Sequence, residues 1–323
     1  MIVVDTRWSG RNGIGRYAKE VTDRLSFGWQ AIDSSGNPSS PWDFVTKSVK
    51  IGGVNPEGVY SPGYNGFLRN VPQTITLHDL IHLEGPGAAK YRGYYDLFLK
   101  PLIKKNRQVL TVSETSKRHL EKWIDDPNVD VVNAGNGSSS AFGRVGDAFE
   151  TSRPYFLYVG NLKAHKNVRT VIAAMAFMGE FDLYVVTSDR EALASLAAEF
   201  GVSERIKSFS NIDDTRLACL YRGARATIQP SLLEGFGLPA LEAALCGCPV
   251  VFFDGCESVK EICAGGGRPV YDSTDVSEWV ATLSSISVGE RFPENVVSSE
   301  TYSWDGVARS VSSLLIREEG PAS

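Results

Sequence analysis

Short apolar runs bounded by turn residues alternate with longer amphipathic stretches along the whole chain. That rhythm is the mark of βαβ units wound around a parallel sheet. In the first half it predicts strands at 1–5, near 29–33, and at 58–61, 74–77, 108–112 and 129–133, with helices over about 14–25, 89–105 and 114–123. The rhythm stops in NAGNGSSSAFGRVGDAFETSRP (133–154), which is rich in Gly and Ser and has no apolar period, so it reads as a linker. It restarts at YFLYVG (155–160) and continues through FDLYVV (181–186), RIKSF (205–209), ATIQP (226–230), PVVFF (249–253) and RPVY (268–271). The intervening segments carry the helical period, with Val168, Val171, Ile172 and Met175 on one stripe and Leu217, Leu220 and Tyr221 on another. A last amphipathic helix is predicted over about 304–317. The expectation is an α/β protein of two doubly wound domains, 1–150 and 151–303. Ligands of such sheets bind outside the carboxyl ends of the strands.

Composition narrows the function classes. The 323 residues carry a formal net charge of -5, which argues against a nucleic-acid binder. The charge is uneven: residues 1–150 hold 18 Lys/Arg and 16 Asp/Glu, the remainder 15 and 22. Within 88–122, nine bases meet three acids, enough to face an anionic membrane or a phosphorylated acceptor, or simply to form a solvated helix face. MIVVD is followed by polar residues rather than an apolar leader, and no uncharged run approaches a membrane span. The expected location is cytoplasmic, peripheral at the inner membrane face if 88–122 is used in that way. The five cysteines, clustered from Cys219 to Cys263, read as reduced thiols, and their spacing fits no common zinc site.

The chemistry concentrates in PSLLEGFGLPALEAALCGCPVV (230–251). A buried strand ends at Gln229–Pro230, a Gly-rich turn follows, and Pro239 is expected at the first helical position. Gly235 and Gly237 let the backbone approach a ligand. The amides of Phe236, Gly237 and Leu238 then head a helix, a ready site for a diphosphate. Glu234 lies in the turn and Glu242 is expected in the first turn of the helix. Beside a diphosphate these carboxylates are better suited to accepting hydrogen bonds from sugar hydroxyls than to touching phosphate.

Glu234 and Glu242, with seven residues between them, resemble the E-x7-E motif of glycosyltransferase family 4, whose members are retaining enzymes with a GT-B fold. The resemblance extends through NGIGRYAKEVTDRL (12–25), TLHDLIHL (76–83), VSETSKRHL (112–120), YVGNLKAHKN (158–167) and TYSWDGVARSVSSLL (301–315). It implies two Rossmann-like domains facing across a cleft, the first completed by the C-terminal helix at about 304–323. It further implies that Glu242 binds the donor ribose and that Glu234, with the Phe236–Leu238 amides, holds the sugar and a phosphate. By the same resemblance Lys166 neutralises the leaving diphosphate, Gly15 lets a first-domain loop approach the phosphates, His78 sits at the reacting centre, and the base lies near Ile212. Many members place an Arg where this chain has Asn161, which leaves Lys163 or His165 to compensate. The implied reaction moves a hexose from a nucleoside-diphosphate sugar, with a lean towards GDP-mannose, to a glycan, lipid-linked or other hydroxyl acceptor. No metal and no cofactor are called for, since no Asp-x-Asp clamp is apparent.

Two other readings stay open. An NDP-sugar epimerase shares the architecture. GIGRYA (13–18) also satisfies G-x-G-x-x-A, with Asp33 placed as the ribose acid of an NAD-dependent dehydrogenase. Against the latter, Thr6 to Asn12 separate the first strand from Gly13, too many residues for the tight turn that fingerprint needs.

Overall fold

The computed structural model describes residues 1–8, 10, 13–32, 36–38, 40, 42–44, 55–84 and 88–316. Asp33 and the 317–323 end of the expected C-terminal helix lie outside the described residues. The chain divides into two compact units, Met1–Gly137 with Tyr302–Ser323, and Ser138–Thr301.

In the first unit, β1 (Ile2–Val4), β2 (Trp29–Ala31), β3 (Gly58–Ser61) and β4 (Gln73–Ile75) form a parallel sheet in the order β2-β1-β3-β4. β5 (Gln108–Thr111) and β6 (Asp130–Asn133) pair in parallel, and the Thr76–Leu110 bridge with the Leu77 amide on the Leu110 carbonyl (2.8 Å) joins them to β4. The order reverses between β1 and β3, so their carboxyl ends mark this sheet's switch point. α1 (Gly13–Thr22) follows β1. The helix expected over 89–105 is α2 (Ala88–Tyr94), a π-helical turn (Tyr95–Leu99) and α3 (Lys100–Asn106) in one run. Pro101 has no amide for the Leu97 carbonyl, and the run widens there, with the Lys100 amide reaching back to Tyr95. α4 (Glu114–Ile124) starts at Ser113, whose side chain accepts from the Ser116 amide at 3.0 Å.

The second unit holds six parallel strands: β7 (Tyr155–Val159), β8 (Asp182–Val186), β9 (Ile206–Phe209), β10 (Ala226–Gln229), β11 (Val250–Phe253) and β12 (Arg268–Val270). They run in the order β12-β11-β10-β7-β8-β9. Counted from β7 this is the 3-2-1-4-5-6 order of a Rossmann sheet, with its switch point between β7 and β10. Its helices are α5 (Val168–Met175), α6 (Arg190–Glu199), α7 (Asp214–Gly223), α8 (Leu238–Leu245), α9 (Glu257–Cys263) and α10 (Val276–Ser284). Phe156, Ala226, Ile228 and Val251 of the sheet pack with Val171, Ile172 and Met175 of α5 and with Trp279 of α10. α11 (Trp304–Leu315) returns to the first unit, where it packs on α1.

The break between units falls after Gly137, not at 150. Residues 138–150 have no secondary-structure period, yet side chains fasten them to the second unit. Arg222 donates to the carbonyls of Asp147 (2.8 Å) and Gly143 (3.0 Å), and the Phe149 amide donates to Cys219 (2.9 Å). Phe142 is buried beside Tyr221. A stretch without periodicity is thus a clasp, because of Phe142, the Phe149 ring against Tyr155 and Tyr184, and one arginine.

Candidate active site

Two loops rise from the switch point of the second unit. β7 ends at Val159, and the next residue, Gly160, has a φ of +153. A Cβ there would lie 2.8 Å from the Tyr158 hydroxyl, so the position has room for glycine alone. The next turn is stapled from below. Tyr158 Oη donates to the Asn161 carbonyl (2.7 Å), the Leu162 amide to Asp189 (2.8 Å), and the Lys163 amide to Asn161 Oδ1 (3.2 Å). A single 3₁₀ turn (Ala164–Lys166) then carries the chain to Asn167, which takes the left-handed conformation and ties its side-chain amide to the Ser273 carbonyl. Asn161 therefore shapes the loop as an acceptor and supplies no cation. Lys163 is exposed and His165 half-buried.

The second loop follows β10. The Leu232 amide donates to the His165 carbonyl at 2.7 Å, which locks the two loops side by side. Ser258 Oγ holds the Glu234 carbonyl (2.8 Å). Lys166 Nζ lies 2.5 Å from Glu234 Oε1, and Ser231 Oγ donates to the same oxygen at 2.7 Å. Gly237, at φ +105, turns the chain into α8. Pro239 occupies the second rather than the first helical position, still within the turn where a missing amide is harmless. The helix head of Phe236, Gly237 and Leu238 thus stands on the same turn as Glu234. Gln229, the last residue of β10, is buried, and its Nε2 meets no acceptor among the described residues. That orphaned donor at the root of the turn is a site feature that sequence reasoning missed.

Because α8 begins at Leu238, Glu242 is its fifth residue, one position deeper than expected and past the first turn. It is 4% exposed, and the Tyr221 hydroxyl donates to its Oε2 at 3.1 Å. Burial, and then the charge of Glu242, push the Tyr221 phenol well above its ordinary range, so Tyr221 stays a donor. Ile212 is half-buried in the turn between β9 and α7, beside Asn211 in the left-handed conformation. The second unit therefore brings Lys166, Glu234 and the 236–238 helix head together, sets Glu242 behind them, and carries Ile212 on the turn after its edge strand.

The first unit places its two expected residues differently. Gly15 is a buried residue of α1, so GIGRYA lies inside a helix and not in a loop. Its register leaves Gly13 at the helix start, well beyond the end of β1. His78 follows β4, buried, with Nε2 2.9 Å from the Pro62 carbonyl and its ring 4.8 Å from Tyr17. The carbonyl fixes the proton on Nε2, and burial lowers the pKa, so the imidazole is neutral with Nδ1 as its acceptor. At the switch point sits a second network that the sequence motifs do not announce. Arg7 pairs with Asp5 (2.6 Å) and bidentately with Asp43 (2.7 Å), and Asn65 bridges Asp5 to Trp8 and Ser61 (each 2.6 Å). Burial alone would lower the Arg7 guanidinium, but its bonds to the two carboxylates outweigh that and raise it. Asp5-x-Arg7 directly after an apolar strand is the one signal that could have found it.

The cysteines are thiols among the described residues; burial pushes Cys246, Cys248 and Cys256 up to about 12, so they are unreactive. No helix is long and apolar enough to cross a membrane among the described residues.

Residues 144–299, nearly all of the second unit, match the family model described as glycosyl transferases group 1. The O-antigen chain mannosyltransferase RfbU of Salmonella typhimurium is 27% identical over 241 residues, 73% of this chain and 65% of that protein. The D-inositol 3-phosphate glycosyltransferase of Mycolicibacterium smegmatis is 31% identical over 128 residues, 39% of this chain and 29% of that protein. The chain thus spans less than two thirds of the length of these relatives. Among solved structures, sucrose-phosphate synthase from Thermosynechococcus elongatus superposes with a TM-score of 0.71 at 18% identity, covering 97% of each chain. WaaG, a glycosyltransferase involved in lipopolysaccharide biosynthesis, gives 0.70 at 14% identity, with 99% of this chain and 96% of its own covered. At such identities the likeness is one of fold, the two Rossmann-like units of GT-B.

Proposed function

We propose that this chain is a glycosyltransferase of the group whose model residues 144–299 match, and that it moves a hexose from a nucleoside-diphosphate sugar to a hydroxyl acceptor. The observation that carries the reading is the meeting of Lys166 and Glu234 beside the α8 helix head, at the switch point of a Rossmann sheet. Breaking the bond from sugar to diphosphate builds negative charge on the leaving oxygen. Lys166 and the Gly237 and Leu238 amides stabilise that charge without a metal ion. Glu234 accepts from sugar hydroxyls, Glu242 from the ribose, and the base lies along the Ile212 turn. The resemblance of Glu234 and Glu242 to the E-x7-E motif supports retention of configuration, through an ion-pair-like state on one sugar face.

GDP-mannose is the proposed donor, supported by the mannosyltransferase names of the relatives from Salmonella typhimurium and Escherichia coli. Both are named for O-antigen chains, which supports a glycan or lipid-linked acceptor met at an anionic membrane through 88–122. The test is hexose transfer from GDP-mannose, with UDP-sugars as controls, in excess EDTA. Lys166→Met is expected to lower kcat by about 10²- to 10³-fold while the protein stays folded. Unchanged turnover in that variant, or turnover lost to EDTA and restored by Mg²⁺, would overturn the assignment.

A further inference from the structure

Lys166, the cation given to the diphosphate, is already neutralised. Its Nζ is 2.5 Å from Glu234 Oε1, with side-chain exposures of 18% and 13%. Three further contacts hold the pair. Ser231 Oγ donates to the same carboxylate oxygen, Ser258 fixes the Glu234 carbonyl, and the Leu232–His165 bond fixes the two loops at one spacing. Glu234 can leave only by breaking a charge-assisted pair and a hydrogen bond together. A diphosphate arriving here therefore shares the ammonium with a carboxylate that stays in place.

An ammonium has three donors and can serve both anions. The two anions nevertheless repel each other at short range in a partly desolvated site. What relieves the repulsion is a donor on Glu234's second oxygen, Oε2. A nucleoside-diphosphate sugar brings such donors, its hydroxyls, to the place where the sugar sits. The nucleoside diphosphate left after transfer brings none, and its terminal phosphate carries an additional ionisable oxygen.

We propose that Glu234 makes the donor site discriminate against its own product, by holding a fixed negative charge that only the sugar-bearing nucleotide can satisfy. The inference rests on the donor-site reading above and goes beyond it. Glu234 not only grips the sugar but weakens the grip on the bare nucleotide, which speeds product release. A carboxylate and a carboxamide differ here in charge while sharing shape. Glu234→Gln keeps an acceptor for Lys166 and Ser231 and removes the charge.

The experiment is isothermal titration of wild type, Glu234→Gln and Lys166→Met with GDP, UDP and inorganic pyrophosphate, and with GDP-mannose and UDP-glucose under acceptor-free conditions. The expected result is that Glu234→Gln binds the cognate nucleoside diphosphate at least about fivefold more tightly than wild type. Its affinity for the sugar nucleotide should fall or stay level, so that the preference for sugar nucleotide over bare diphosphate shrinks. Single-turnover and steady-state rates should then separate, with product release slowed. Equal or weaker nucleoside-diphosphate binding in folded Glu234→Gln overturns the inference. If Lys166→Met still weakens binding in that case, the donor-site reading stands and only the discrimination is wrong. If wild type binds none of the probes, or Lys166→Met leaves their affinity unchanged, the donor-site reading itself falls and the inference with it.

Discussion

At the scale of single residues the site depends on backbone positions as much as on charges. Gly237 has a φ of +105, and a Cβ there would lie 3.0 Å from Val259 Cγ2. Gly237→Ala should therefore cost about 1–3 kcal/mol in urea unfolding, since both the conformation and the space are wrong for a side chain. It should also weaken nucleoside-diphosphate binding, because the strain is relieved by turning the α8 head. A Gly237→Ala protein with unaltered stability and affinity would show that this turn does not cradle the phosphates. The turn from β10 into α8 was legible in sequence, because two glycines followed by a proline after an apolar run mark a strand-to-helix turn. The depth of Glu242 was not, since one residue of difference in helix start moves a side chain by about 100° around the axis. Nor was the part played by Asn161. An acceptor that shapes its own loop through the Lys163 amide looks, in sequence, like any polar residue. The Asp5–Arg7–Asp43 network was missed for a related reason: buried charges that satisfy one another leave no periodic trace, and Asp43 lies 36 residues from Arg7.

At the scale of elements all twelve described strands fall where the runs between turn residues predicted. Central strands such as β7 and β11 are buried on both faces and written in apolar residues. The edge strands β2, β9 and β12 are partly exposed and were found from the regular alternation with helices. Discontinuities within helices were less legible. The π turn before Pro101 needs a carbonyl's lost partner to be noticed, and α1 begins at Gly13 although two of its first three residues are glycine. The α2–α3 run carries the membrane part of the proposal. Leu97 is 82% exposed on it, and Trp42, 74% exposed, lies two residues before Phe44, which packs on Tyr94 and Phe98. Lys90, Arg92, Lys105 and Arg107 are exposed on the same run or its end, with Asp96 the one acid between 88 and 107. Exposed apolar side chains on a run with an excess of exposed bases suit an anionic interface. Cosedimentation should therefore favour vesicles with phosphatidylglycerol over pure phosphatidylcholine and weaken as salt rises. Each of Lys90→Glu and Arg92→Glu should lower affinity at least about fivefold, near 1 kcal/mol per basic residue removed. Equal binding to neutral vesicles, or none to either, would remove membrane contact from the proposal.

At the scale of the molecule the chain leaves the first unit after Gly137 and re-enters it at Tyr302, so the first unit is built from two distant pieces of sequence. The second piece is not ornamental. Trp304 is buried, with its ring 6.0 Å from Tyr17, and it packs so closely on Gly137 that a Cβ there would lie 2.5 Å from the indole. Ser303 caps α11 by accepting from the Gly306 amide, and Val307, Ala308 and Val311 bury its inner face. The second unit has its own sheet and core and draws on none of these residues. Trp304→Ala should therefore cost the first unit about 3–5 kcal/mol, the range for a large aromatic removed from a core. Gly137→Ala should strike the same unit from the opposite side of that contact. Hydrogen exchange read by mass spectrometry separates the units peptide by peptide, which a single melting temperature does not. In both variants protection should fall in peptides spanning β1–β6 and α11 and stay at wild-type levels across β7–β12. Equal loss in both halves would mean that the two units unfold as one cooperative body. In that event the crossings at Gly137 and Tyr302 would be seams inside a single fold rather than the borders of two.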